Sequence, residues 1–160
     1  MFHPIQTTES GDAFYRHLLE QVKHLLEGER DAIANMANVS SLLFMMMEDV
    51  NWVGFYLWKD GQLVLGPFQG KPACVRIAQG KGVCGTAFSQ QCTLVVPDVY
   101  KFPGHIFCDG DSRSEIVIPL STHQPIGVLD IDSPIVDRFT EVDRKGLEAI
   151  VQWLIAATDF

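Results

Sequence analysis

At Val50 the chain changes its hydrophobic period. Before that point, AFYRHLLEQVKHLLEG places Phe14, Leu18, Leu19, Val22, Leu25 and Leu26 at helical spacing, with Gly28 as a stop. A second helix is expected from Asp31 to Glu48, with Ile33, Met36, Val39, Leu42, Leu43, Met46 and Met47 near one side. Beyond it, VNWVGFYLW is aromatic and β-branched, KDG at 59–61 offers a tight turn, and QLVLGPF returns. Strand, turn and strand in that order make an antiparallel hairpin. ACVRI, TLVV, EIVIPL and PIGVLDI are further short strand candidates. FTEVDRKGLEAIVQWLIAATDF then reads as a closing helix, with Thr140 as N-cap and Asp143 three residues later. Helices and strands do not alternate one for one, so a doubly wound parallel sheet is disfavoured. The expected class is α+β, an antiparallel sheet with helices packed on one face.

Size and charge narrow the function. A chain of 160 residues that is 47% hydrophobic is sufficient for one core, so a single domain is expected, with residues 1–30 as a helical extension. Twelve basic against twenty acidic side chains leave a net charge of −8, which repels a phosphate backbone, and no nucleic-acid partner is expected. The opening MFHPIQTTES lacks a basic region followed by an apolar run, and no apolar stretch is long enough to cross a bilayer. A cytoplasmic protein without membrane attachment is expected. The cysteines, at 74, 84, 92 and 108, are then expected as free thiols, and their separations contain no C-x2-C pair, so no metal site is expected.

Three features carry candidate chemistry. Between Val96 and Glu115 lies a long polar segment of the kind that forms binding loops, and within it GHIFCDGDSRSE sets Cys108 among glycine, serine and acids. In QGKGVCGTAFSQ, Cys84 sits among glycines before a short helix candidate. A helix start and Lys81 would favour its thiolate, although the same stretch is equally a glycine-rich turn. Cys92, between polar Gln91 and Thr93, reads as structural or incidental. In GVLDIDS, Asp130 and Asp132 are two apart and share a strand face with Val128, while Leu129 and Ile131 take the other face. Either the carboxylates are exposed at a strand end, or they line a polar pocket. Trp52 and Tyr56, four apart on one strand face, fit either core packing or the wall of a site for a cationic or methyl-bearing ligand. The residues alone reach a small-ligand domain with a reactive thiol, and rank Cys84 first.

NWVGFYLW, LGPFQGKPACVRI, GKGVCGTA, PDV, GHIFCD, SEIVIPL and IGVLDIDSP, in that order over about residues 35–155, resemble the free methionine-(R)-sulfoxide reductases, a stand-alone branch of the GAF domains. The resemblance implies a GAF-like sheet with the ligand pocket on the face opposite the terminal helices. It implies an enzyme that reduces free L-methionine (R)-sulfoxide, and it moves the catalytic thiol from Cys84 to Cys108. Cys108 would become a sulfenic acid, Cys74 would be the main resolving cysteine with Cys84 able to take part, and thioredoxin would reduce the resulting disulfide as external reductant, with no bound cofactor. Glu115, Asp130 and Asp132 match acidic pocket residues that hold the substrate, with Glu115 as the preferred acid, and Trp52 and Tyr56 match aromatics around the methyl end. His105 is a candidate for activating Cys108. A homodimer is expected from the same resemblance. The competing class is a non-catalytic GAF module that binds a small metabolite or cyclic nucleotide, which would not require Cys108.

Overall fold

The computed structural model describes residues 2–106 and 110–160. Helix α1 (Gly11–Leu25) and helix α2 (Ala32–Met46) lead into strands β1 (Trp52–Lys59), β2 (Gln62–Gly70) and β3 (Arg76–Ala78). Helix α3 (Gly82–Gln90), strand β4 (Leu94–Val96), strands β5 (Ser114–Ser121) and β6 (Pro125–Ser133) and helix α4 (Glu141–Ala157) complete the chain. The six strands form one sheet in the order β3-β2-β1-β6-β5-β4, every neighbouring pair antiparallel. The β1–β2 turn is made by Asp60 and Gly61, both at positive φ (51° and 77°), as a two-residue hairpin of this twist demands.

Strand alternation sorts the side chains to two faces. Phe55, Leu57, Ile116, Ile118, Leu129 and Ile131 point to one, where α1, α2 and α4 cover them with Leu18, Val22, Met36, Leu43, Leu147 and Ile150. Trp52, Tyr56, Val117 and Val128 point to the other, where α3 and the β2–β3 connection pack over them. The expected α+β arrangement, with the terminal helices on one face of an antiparallel sheet, is therefore observed. Within the methionine run, Met46 and Met47 are core residues while Met45 is exposed.

The helix ends follow local chemistry. Asp31 caps α2 by accepting from the Ala34 amide at 2.8 Å. Thr140 and Asp143 form the reciprocal capping box anticipated for α4. Asp143 also receives the Tyr15 hydroxyl at 2.7 Å and Arg138 at 3.2 Å, which fastens α1 to the start of α4. The final residues, which carry no readable signal in the sequence, clasp the chain: Thr158 Oγ1 accepts from buried Asn35, and Asp159 pairs with Arg30. Among the described residues no helix is long and apolar enough to cross a membrane.

Candidate active site

The sheet builds the floor of a pocket on the α3 face. Across three strands, Glu115 of β5 lies opposite Asp132 of β6, which lies opposite Trp52 of β1. In the next row Val117 lies opposite Asp130, which lies opposite Gly54. Because cross-strand partners share a face, acid and aromatic side chains converge. Gly54 is required there: a Cβ would sit 2.5 Å from the Trp52 ring and 2.4 Å from Phe68. The Trp52 ring uses that space to stack on Phe68 (5.4 Å between centroids) and on Tyr56 (6.0 Å). Helix α3 brings Cys84 over the same floor, with its sulfur 3.9 Å from Glu115 Oε1.

Trp52, Tyr56, Ile77, Lys81, Cys84, His105, Ser112, Glu115, Asp130 and Asp132 are among the residues lining the cavity. The cavity encloses some 500 Å³, including open solvent at its mouth. The β2–β3 connection that carries Cys74 forms one wall. It is fastened from below by both aromatics: the Trp52 indole donates to the Lys71 carbonyl at 3.0 Å and the Tyr56 phenol donates to the Cys74 carbonyl at 2.9 Å. Exposed Lys71 also pairs with Asp111, tying this wall to the segment leading into β5. Cys74 is disulfide-bonded, whereas Cys84 and Cys92 are free.

Burial sets the charges. Glu115 is raised well above the usual carboxylate range, first by desolvation and then by Asp130 and Asp132. Asp130 is pushed up to about 6, also by burial. Burial therefore favours the protonated form of both carboxyls, which hydrogen-bond to each other and titrate as a pair. One Asp130 oxygen, Oδ1, is buried with no hydrogen-bond partner among the described residues. The imidazole of His105 is held neutral by burial. At 3.9 Å from Glu115 Oε2 it is neither hydrogen-bonded to that oxygen nor, with both groups uncharged, an ion pair with it.

Several expectations are corrected. Cys84 lies in the first turn of α3, as its sequence setting suggests, but its thiol is pushed up, first by burial and then by Asp130 and Glu115. Desolvation outweighs the helix start, so Cys84 is a protonated thiol. Cys74 belongs to the connection before β3 and not to a strand, and it is disulfide-bonded instead of free. Asp130 is buried and Asp132 half-buried in the pocket, which excludes the exposed strand-end alternative. Cys92 is exposed, away from the cavity. Cys108, and with it the postulated action of His105 upon it, lies outside the described residues. Residue-level reasoning missed Ile77, Ser112 and Ile106 as lining residues; only the alternation within ACVRI could have pointed to Ile77.

A sheet with this strand order, helices on one face and an acid and aromatic pocket on the other defines the class, and a GAF domain matches residues 10–157. The chain is 50% identical to the free methionine-R-sulfoxide reductase of Escherichia coli, covering 92% of each chain. It superposes on the substrate complex of free methionine-R-sulfoxide reductase from Neisseria meningitidis with a TM-score of 0.94, at 41% identity over 98% of this chain and 95% of that one. The reduced form of fRMsr of Staphylococcus aureus gives 0.88 at 49% identity, with 96% and 99% covered. The chain belongs to the free methionine-R-sulfoxide reductase family of GAF domains.

Proposed function

We propose that this protein reduces free L-methionine (R)-sulfoxide to L-methionine with thiols. The observation that carries the reading is the buried pair of carboxyls, Glu115 and Asp130, on the pocket floor beneath a wall that bears a disulfide-bonded Cys74. Asp130, with Asp132 beside it, takes the substrate ammonium, and the orphaned Asp130 oxygen is an acceptor that such a group satisfies. Lys81 at the mouth attracts the substrate carboxylate, and Trp52 and Tyr56 pack on the methyl end. A cavity closed in this way suits the free amino acid better than a residue flanked by amides.

The Cys108 thiolate attacks the sulfoxide sulfur while Glu115 protonates the oxygen, methionine leaves, and the oxygen remains on Cys108 as a sulfenic acid. Cys74 then attacks the Cys108 sulfur, water departs, and a disulfide forms. Thioredoxin reduces it by exchange, so each turnover consumes one dithiol and yields one water. The disulfide state of Cys74, beside free Cys84, supports Cys74 as the resolving thiol.

The test is methionine release from separate R and S diastereomers of the free sulfoxide by wild type, Cys108→Ser and Cys74→Ser with thioredoxin recycling. R-selective turnover that vanishes in Cys108→Ser, with Cys74→Ser limited to a single turnover, is expected. Turnover of neither form by the reduced wild type would leave a ligand-binding GAF module as the better account.

A further inference from the structure

The mechanism leaves Cys84 without a task. It is a buried free thiol of α3 that lines the pocket. Its sulfur, an oxygen of Glu115 and an oxygen of Asp130 all lie within 4.8 Å of one another. Each comes from a different element, α3, β5 and β6, so the three donors converge only in the folded protein.

We propose that this triad is a binding site for a thiophilic divalent cation of the zinc class. Zinc bonds of about 2.3 Å to sulfur and about 2.1 Å to oxygen, at tetrahedral angles, separate sulfur from oxygen by about 3.6 Å. The Cys84 sulfur is 3.9 Å from Glu115 Oε1, so a small closing movement meets the geometry. Asp130 Oδ1, buried at 6% exposure and without a hydrogen-bond partner among the described residues, is open to a cation, although the Asp130 carboxyl also hydrogen-bonds with Cys84 and Glu115. An ammonium group satisfies that oxygen but offers nothing to sulfur, whereas a zinc-class ion satisfies both. Magnesium and calcium fit poorly, since they require six or more oxygen ligands and gain little from a thiolate. Binding is an acid–base exchange without electron transfer: the Cys84 sulfur donates an electron pair to the cation and releases its proton to solvent, as does Glu115. The fourth position remains for water. A bound cation occupies the place assigned above to the substrate ammonium, so it blocks the enzyme; that consequence, though not the binding, rests on the proposed function.

The experiment uses the form in which Cys74 is disulfide-bonded and the free thiols among the described residues are Cys84 and Cys92, and titrates it with Co2+ as a spectroscopic probe for zinc. A near-ultraviolet thiolate-to-cobalt band that saturates at one equivalent, and that excess Zn2+ bleaches, is expected. The band should vanish in Cys84→Ser, persist in Cys92→Ser, and require at least about tenfold more Co2+ in Asp130→Asn. Circular dichroism checks that each variant is folded, and Asp130→Asn serves alone if Cys84→Ser is not. No band in wild type, a band that survives Cys84→Ser, or one that vanishes in Cys92→Ser overturns the site. The reading needs no substrate, so a protein that binds Co2+ through Cys84 yet reduces no sulfoxide refutes the proposed reaction and leaves the cation site standing.

Discussion

The Tyr56 phenol, fixed on the sheet, donates a 2.9 Å hydrogen bond to the carbonyl of Cys74 in the pocket wall. Strand β1 thereby sets the position of a residue that has no regular structure of its own. Removing the hydroxyl in Tyr56→Phe costs about 1 kcal/mol of restraint on that wall, equivalent to roughly fivefold in the population of its docked state. Disulfide closure should slow relative to methionine release, which is read by trapping the sulfenic acid with dimedone after one equivalent of sulfoxide. An unchanged trapped fraction would separate Tyr56 from the resolving step.

Asp130 has its carboxyl pushed up to about 6 by burial, and it acts on a cation only when ionised. Acidification through that value protonates it and weakens ammonium binding. The KM for the sulfoxide should rise about fivefold between pH 6 and pH 5, while that of Asp130→Asn stays high and flat across the same range.

The same burial works against folding. A carboxyl raised in the folded state contributes stability that is fully present below its unfolded pKa and is lost as pH rises through its folded one. For Asp130 that window runs from the ordinary value of 3.8 to about 6, and Glu115 adds a loss at higher pH. Asp130→Asn and Glu115→Gln should each be more stable than wild type at pH 8, by roughly 1–3 kcal/mol, while losing activity. Thermal unfolding at pH 8 and pH 4 measures this, and a wild type more stable than both variants at pH 8 would contradict the argument.

Gly85 packs against the backbone of β3, where an added Cβ would lie 2.4 Å from the Ala78 carbonyl oxygen. A carbonyl cannot move aside as a side chain can, so α3 must shift and carry Cys84 with it. Gly85→Ala should cost roughly 1–3 kcal/mol in denaturant unfolding and increase alkylation of the otherwise buried Cys84.

Tyr15 reaches Asp143 at the start of α4, and burial of Asp143, which alone would raise its carboxyl, is outweighed by hydrogen bonds from Tyr15 and Thr140 and by Arg138. Its carboxyl is therefore held below the usual range, and the associated stability is lost as pH falls through that lowered value. Tyr15→Phe should destabilise the protein by about 1–3 kcal/mol at neutral pH, with the difference shrinking in acid as Asp143 protonates.

What the sequence determined by itself is what local periodicity encodes. Alternation in GVLDIDS separates Leu129 and Ile131 from Asp130 and Asp132, and the structure places those pairs on opposite faces of the sheet. The KDG turn dictates the hairpin, and Thr140 with Asp143 marks the helix start, because each rests on contacts a few residues long. The motif order was enough to identify the family. The chemical state of the site was not legible. A helix start beside Lys81 argues for a thiolate at Cys84, yet Glu115 and Asp130, distant in the chain, close over it in a medium that penalises charge. Nor does any local pattern say that Tyr56 holds the Cys74 carbonyl. Hydrophobic period is a property of neighbours along the chain, whereas desolvation and Coulomb interaction depend on neighbours in space, so only the tertiary structure decided that the pocket carboxyls are pushed toward their protonated forms and that the Cys84 thiol is pushed up.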